Sequence, residues 1–387
     1  FLLIPNPELK KAPSSAEHPP KQVISTVLRQ QFNQAMGHID TSWTKVTQSV
    51  APTVDASDIF SETQSQIPSE SLAINRVADL FKNSSKDKGK GPSILATAFH
   101  PSEDFASVLD SKGCLHIVAV NPKKCNVQHH IPFDKKPPRY CLCYTANGEH
   151  IIIAGKEGNY ITVDCQTQQI ILFKVQGCQQ DIKHVYCSPD NSLLLMLCGN
   201  SVHFINAANK TLLRTVPTSD ELKCGAFSDD SQYFIACGKN GYGLVFNCET
   251  HFPENRFQEP EMQYIHDISI SRDRVAIGTE AGVLHIFDFN HIRTEQFPKP
   301  LFTKMNLVTK VDTVRFNPTG ELVVFASSGK KDSLRVLHLA SKNVYSNWPT
   351  QNTPLSYVRD VAFDHTSKYL AIANDKGLVT LWELPFY

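Results

Sequence analysis

Residues 233–247, YFIACGKNGYGLVFN, and residues 369–383, YLAIANDKGLVTLWE, contain the pattern that decides the fold. In each, an apolar run leads into a short polar turn with a glycine, and a second apolar run follows. Two such runs on either side of a tight turn are typical of a β-hairpin. Residues 150–164, HIIIAGKEGNYITVD, and 274–288, RVAIGTEAGVLHIFD, repeat the pattern. The chain is therefore expected to consist of many similar hairpins.

Two residue positions recur in every repeat and allow the repeats to be counted. The residue that precedes each hairpin recurs every 40–47 residues, at Phe99, Tyr144, Cys187, Phe227, Ile270, Phe316 and Phe363. A turn glycine follows each of them by 12–14 residues, at Gly113, Gly158, Gly199, Gly241, Gly282, Gly329 and Gly377. We expect positive φ at these glycines, because tight hairpin turns require it. The period predicts an all-β fold, a seven-bladed WD-repeat β-propeller, over residues 94–387.

The last repeat is too short for four strands. It begins near Val358 and has room for three before Tyr387. We expect the segment Ser71–Phe81, which contains Leu72 and Ile74, to supply the missing outer strand, because an open ring would expose strand edges. Within a propeller domain at 71–387, residues 71–81 would then close the ring and residues 82–93 would form a basic linker.

The composition excludes several classes of protein. Lys plus Arg and Asp plus Glu both number 38, so the net charge is zero, whereas a dedicated phosphate-backbone binder usually has a basic excess. The sequence contains no run of 18 apolar residues, so no membrane span is predicted. Residues 1–11 do not resemble a signal peptide. The eleven cysteines lack a C-x-x-C pair and are expected to be small buried hydrophobes in a reducing, intracellular compartment.

No pattern for catalysis or for a cofactor is found. The sequence lacks G-x-S-x-G, H-E-x-x-H, a phosphate-binding loop and a dinucleotide fingerprint. His129 and His130 are expected to be solvated in a loop between blades rather than to bind metal. Aspartates such as Asp190, Asp229 and Asp230 are expected to form turns. We therefore predict a protein that is not an enzyme, with no metal and no cofactor.

Residues 1–70 are predicted to be an extended arm with one short helix at about 22–36, QVISTVLRQQFNQAM. Its apolar side chains fall on one face, and Trp43 follows just beyond. A lone amphipathic helix must cover that face, either by packing on the propeller or by docking into a groove of a partner. The candidate docking residues are Ile24, Leu28, Phe32, Met36 and Trp43.

Contacts with RNA, if the chain makes them, should come from local basic pairs, because the overall charge is zero. The candidate pairs are Lys123 and Lys124, Lys135 and Lys136, and Lys330 and Lys331.

The most distinctive phrases lie towards the end of the chain. They are Met305-Asn306-Leu307-Val308-Thr309, Phe316-Asn317-Pro318-Thr319, Tyr345-Ser346-Asn347-Trp348-Pro349-Thr350 and Asn374-Asp375-Lys376-Gly377, together with LRQQFNQAMGHIDTSW in the arm. With these phrases the chain resembles the U3 small nucleolar RNA-associated protein 18 family over about residues 26–384.

This resemblance implies a seven-bladed scaffold subunit of the small-subunit processome in the nucleolus. Its implied partners are the other propeller and helical-repeat proteins of the UTP-B subcomplex, the 5′ external transcribed spacer of pre-rRNA and the U3 small nucleolar ribonucleoprotein (snoRNP). Members also carry a Leu-Phe-x-Val-Asp motif that recruits the exosome-associated RNA helicase. These 387 residues lack that motif, so the resemblance does not extend the helicase partner to them.

Two other functions fit the same pattern. One is a WD-repeat scaffold of another intracellular complex, in signalling or in a ubiquitin ligase, against which the arm and the SNWPT phrase argue. The other is a direct RNA-binding propeller, which the neutral charge and the lack of interleaved aromatic and basic residues disfavour.

Overall fold

A computed structural model of the chain describes residues 71–82, 92–121, 125–133, 141–350 and 352–387. The predicted arm and its helix lie outside the described residues, as do most of the predicted linker and the lysines at 123, 124, 135 and 136.

The described residues form seven antiparallel sheets of four strands each. Blade 1 contains β2 (Ile94–Phe99), β3 (Phe105–Asp110), β4 (Cys114–Ala119) and β5 (Asn126–Pro132), and blade 2 contains β6 (Leu142–Tyr144), β7 (His150–Ala154), β8 (Asn159–Asp164) and β9 (Ile170–Lys174). Blade 3 contains β10 (Ile182–Cys187), β11 (Leu193–Cys198), β12 (Ser201–Asn206) and β13 (Leu212–Pro217), and blade 4 contains β14 (Leu222–Phe227), β15 (Tyr233–Gly238), β16 (Tyr242–Asn247) and β17 (Phe252–Gln258). Blade 5 contains β18 (Ile265–Ser271), β19 (Arg274–Thr279), β20 (Leu284–Asp288) and β21 (Phe302–Lys304). Blade 6 contains β22 (Thr313–Phe316), β23 (Leu322–Ala326), β24 (Leu334–His338) and β25 (Asn343–Val344). Blade 7 contains β26 (Val358–Phe363), β27 (Tyr369–Asn374), β28 (Leu378–Glu383) and β1 (Asn75–Lys82).

The sheets form a closed ring, which confirms the predicted seven-bladed propeller. The first strand of each blade, the inner strand, contacts the inner strands of both neighbouring blades, and β26 contacts β2. The core consists of seven separate apolar clusters, and each lies between two successive blades. The second strand of a blade is therefore buried on both faces, which explains the continuous apolar run of β11, LLLMLC.

Glycine at the hairpin turns behaves as predicted in six blades. Gly113, Gly158, Gly199, Gly241, Gly282 and Gly377 have φ between +54° and +85°. The prediction is wrong for Gly329, whose turn between β23 and β24 is longer than the others. There the positive φ, 54°, falls on Asp332, whose side chain accepts hydrogen bonds from the backbone N–H groups of Leu355 and Ser356.

The predicted loop position of His129 and His130 is wrong, because both lie in β5. There they pair with β4, as Ile117 with His129 and His116 with His130. The Nδ1 atoms of His116 and His130 are 3.1 Å apart. The predicted loop is thus replaced by an outer strand, on which His130 is exposed and His129 is half-buried.

In the part of the chain that the structure describes, one short helix interrupts the all-β pattern. It is α1 (Phe289–Thr294), between β20 and β21, where the Asp288 side chain accepts a hydrogen bond from the Asn290 N–H and caps the helix. Phe289 and Ile292 bury its inner side. None of the helical residues described has the length and hydrophobicity that a membrane-spanning helix requires.

The fourth strand of blade 7 comes from the N-terminal side of the ring. β1 pairs with β28 from Asn75 with Glu383 to Lys82 with Leu378. The side chain of Asn347 binds the backbone of Leu72 on both sides, since its Oδ1 accepts from the Leu72 N–H at 3.0 Å and its Nδ2 donates to the Leu72 carbonyl at 2.7 Å. This side-chain amide thus makes the same pair of hydrogen bonds that a neighbouring strand would make, and it fixes the point where the chain enters the blade.

We expect β1 to be required for a stable ring. A chain shortened to begin at Gly91 loses the burial of Leu72, Leu80 and Phe81, which are 4%, 2% and 6% exposed. At about 1.5–3 kcal/mol for each side chain, the loss is roughly 4.5–9 kcal/mol. Thermal melting and light scattering should show a lower melting temperature and aggregation relative to a chain that begins at Ser69. Equal melting temperatures, with both chains monomeric, would contradict this role.

Candidate interaction surfaces and the central channel

The inner strands carry an irregularity that places polar side chains in the centre of the ring. In five of them the pairing with the second strand skips one residue, at Leu95, Lys183, Lys223, His266 and Arg359. Such a bulge twists the strand and redirects the side chain that follows it. In blades 5 and 7 the following residues are Asp267 and Asp360, which line the central cavity of about 740 Å³.

Arg315 lies between Asp267 and Asp360, and the three residues belong to three different blades. Arg315 of β22 donates from Nη1 to Asp267 of β18, and its Nη2 lies 3.6 Å from Asp360 Oδ1 of β26. Burial raises the pKa of both carboxyl groups, and Arg315 opposes that rise. Burial alone would lower the pKa of Arg315, but the two carboxylates raise it. This ion triad is held by the ring rather than free for acid–base chemistry.

The same two aspartates join neighbouring blades. Asp267 accepts a hydrogen bond from the Val314 N–H of blade 6, and Asp360 accepts one from the Thr97 N–H of blade 1, both at 2.9 Å. Tyr186 Oη accepts from the Gly225 N–H of blade 4 at 2.9 Å in the equivalent way. Polar groups of the channel thus bind the backbone of the next blade.

A basic cluster forms where blades 3 and 4 meet. Glu221 accepts hydrogen bonds from Lys183, Lys223 and Lys239, with the Lys223 Nζ at 3.1 Å. Burial by itself would raise the pKa of Glu221, but the three lysines outweigh it and lower that pKa to about 2. Three positive charges around one carboxylate leave a local excess of two.

This cluster belongs to the face of the ring that carries the turns between the second and third strands, which we name the hairpin face. Five of its seven turns carry lysine: Lys112, Lys156, Lys239, Lys330 with Lys331, and Lys376. Acidic residues such as Glu157 and Asp375 alternate with them, so the hairpin face offers several small basic sites rather than one basic surface.

The aspartates at turns act within the scaffold. Asp190 accepts from the Ser192 N–H, and Asp230 accepts from the Gln232 N–H, as turn-forming residues do. Asp229 instead accepts from the Arg272 N–H of the next blade at 2.7 Å.

The SNWPT phrase is also used inside the ring. Trp348 packs on Trp382 with ring centroids 5.2 Å apart, and the hydroxyls of Tyr345 and Tyr387 are 3.2 Å apart. Together with Asn347 on Leu72, these contacts hold the β1 entry against blade 7.

Of the sequence-predicted site residues, the structure describes only Lys330 and Lys331. Both are exposed on the hairpin face, and Lys331 Nζ lies 6.0 Å from the centre of the Tyr357 ring. The predicted docking residues Ile24, Leu28, Phe32, Met36 and Trp43 lie outside the described residues.

Exposed apolar side chains form two surfaces that sequence reasoning missed. Met305 and Val308 are 75% and 84% exposed in the connection between β21 and β22, while Leu307 between them is buried. Ile170, Ile171 and Leu172 are exposed on β9, the outer strand of blade 2. Their periodicity looked like that of any buried strand, so only the position at the rim distinguishes them.

Replacing Arg315 tests the ion triad. We expect Arg315→Met to lower the free energy of unfolding at about pH 7.5 by about 2 kcal/mol, because two carboxylates lose a charged donor. The loss should stay below that of a fully buried pair, since the Arg315 side chain is 39% exposed to the channel. Arg359→Met, at an exposed neighbour of Asp360, should change stability by less than about 0.5 kcal/mol.

The same variant should show a characteristic pH dependence. Without Arg315 the pKa values of Asp267 and Asp360 rise further above those of the unfolded chain, so the native state binds protons at a higher pH than the unfolded state does. Its stability therefore increases as the pH falls towards those pKa values. Urea unfolding at about pH 5 should show a smaller deficit than at pH 7.5. A deficit that is the same at both pH values, or none at all, would contradict the triad.

Comparison with known proteins finds relatives in sequence, although no protein-family model matches the chain. A human protein named U3 small nucleolar RNA-associated protein 18 homolog is 28% identical over 381 residues, which are 95% of this chain and 68% of the human protein. The Drosophila melanogaster homolog of that name is 27% identical over 326 residues, covering 84% of this chain and 63% of the relative. The Saccharomyces cerevisiae protein is 40% identical over 113 residues, covering 29% of this chain and 19% of the relative.

The chain thus spans about two thirds or less of the length of these relatives. The human likeness extends over nearly all of the chain, and relatives from Mus musculus and Schizosaccharomyces pombe carry the same protein name. Over most of its length the chain is therefore similar to proteins named U3 small nucleolar RNA-associated protein 18 from several eukaryotes.

Proposed function

We propose that this chain is a non-catalytic scaffold subunit of the small-subunit processome, and that it acts in nucleolar pre-18S rRNA processing and 40S assembly. The observation that carries the proposal is its likeness to relatives that are each named as U3 small nucleolar RNA-associated proteins. Within the particle it would work with the U3 snoRNP on the 5′ external transcribed spacer, beside other UTP-B propeller and helical-repeat proteins.

The use of the polar groups in the channel supports a scaffold rather than an enzyme. Arg315 pairs with Asp267 and Asp360, and the two aspartates bind the backbone of neighbouring blades. An acid–base catalyst instead needs a titratable group that can reach a substrate.

The surfaces of the ring support binding to other macromolecules. Met305 and Val308 expose apolar side chains beside a basic and acidic hairpin face, and exposed apolar patches commonly mark protein interfaces. The local excess of positive charge around Glu221 would suit an RNA phosphate at the same face.

The arm helix is the first surface to test. We expect Leu28→Asp with Phe32→Asp to abolish incorporation into large pre-rRNA particles, because two apolar anchors together contribute roughly 3–6 kcal/mol. Gradient sedimentation of the tagged chain from nucleolar extracts measures incorporation. Gln30→Asp with Gln34→Asp adds the same charge to the polar face of the predicted helix and should leave incorporation intact.

The melting temperature of the purified Leu28→Asp, Phe32→Asp variant shows whether the helix docks on a partner or packs on its own propeller. It should stay within about a degree of the parent if the helix docks on a partner. A fall of several degrees would place the helix on its own propeller. Sedimentation of the parent chain only with cytosolic complexes would contradict the processome role itself.

RNA contact is tested at Lys330 and Lys331. We expect the double change to Gln to reduce the salt dependence of RNA binding by about one to two phosphate contacts, without a change in sequence preference. Titrations of spacer RNA at several salt concentrations measure this slope. Lys342→Gln with Lys368→Gln removes the same charge from the opposite face and should leave the slope unchanged. An unchanged slope for the Lys330 and Lys331 variant would rule out this contact.

A further inference from the structure

Three metal-ligating side chains that no interaction described above uses meet between blades 2 and 3. They are Cys178, Cys198 and His203, whose Sγ atoms and ring nitrogens all lie within 4.8 Å of one another. All three are almost fully buried, at 5%, 1% and 2% exposure. Among the described residues, no other group of three such ligands is found.

The fold brings the three together from two places. Cys198 ends β11, and His203 lies on β12 opposite Met196, so their side chains share the sheet face that packs on blade 2. Cys178 comes from the connection between β9 and β10, where its N–H donates to the Val175 carbonyl at 3.2 Å. The group thus lies between the connection that leaves blade 2 and the hairpin of blade 3.

We propose that Cys178, Cys198 and His203 form a binding site for Zn²⁺, with water as the fourth ligand. Thiolate and imidazole are the ligands that Zn²⁺ prefers, in a tetrahedral arrangement. At the usual Zn–S and Zn–N lengths the ligand atoms would lie about 3.3–3.8 Å apart, so side-chain movements of about 1 Å would be enough.

The chemistry around the ligands fits a metal. Two thiolates and one Zn²⁺ sum to zero charge, which removes the cost of burying either charge alone. The two His203 nitrogens lie 2.9 Å from Ser201 Oγ and 3.0 Å from Thr215 Oγ1, so the nitrogen that does not bind metal keeps a hydroxyl partner.

Metal content of the purified 387-residue chain tests the site. The chain should be prepared without chelator and without a polyhistidine tag, and should contain about one zinc per chain by plasma mass spectrometry. Cys178→Ser and His203→Gln should each reduce this to near zero. The matched control is Cys224→Ser, which changes an equally buried thiol that pairs with Cys237 in blade 4 and lies in no such group of three ligands.

Cobalt keeps the test decisive if the variants fold poorly. Co²⁺ added to the metal-free parent chain should produce a thiolate-to-metal charge-transfer band and the intense visible bands of a tetrahedral site, and Zn²⁺ should displace it. A parent chain that contains no zinc and gives only the weak spectrum of hydrated Co²⁺ would overturn the proposal. So would zinc that is retained in Cys178→Ser or lost equally in Cys224→Ser.

Discussion

Each blade of this protein is a sheet that cannot be stable alone, because both of its faces are apolar. The seven clusters of buried side chains lie between blades and not within them, so every blade depends on two neighbours. A linear stack would leave two apolar faces in water at its ends, and closure of the ring is the arrangement that removes both. The contact of β26 with β2, and the addition of β1 to blade 7, are therefore required by the same burial that holds the other blades.

Closure also explains where the polar groups are. Apolar layers between blades do not fix how far one blade slides along the next, whereas hydrogen bonds have defined positions and directions. Bonds from Asp267 to Val314 and from Asp360 to Thr97 connect a side chain of one inner strand to a backbone N–H of the next. The bulges that precede these aspartates turn them towards the neighbouring blade. The polar groups that line the channel thus help to fix the position of each blade relative to the next.

Much of this architecture could be predicted from the sequence, because the hairpin pattern is local. Spacing and turn glycines are properties of one blade, and they fix the blade number even though Gly329 does not take the expected conformation. Arg315, Asp267 and Asp360 could not be found in that way, since they lie in three blades and meet only through bulges that no periodicity reveals. His129 and His130 were misplaced for a related reason, because a polar strand at the rim of a ring has the composition of a loop.

The interleaved charges show why a net charge of zero describes this molecule poorly. The sum over the chain is neutral, yet the ring brings Lys183, Lys223 and Lys239 from two blades around the single carboxylate of Glu221. Screening at physiological salt acts over about 8 Å, so an RNA phosphate near the cluster would respond to these four groups and not to acidic residues on the far face. A neutral propeller can therefore offer discrete basic sites, and ring closure rather than composition decides where they lie.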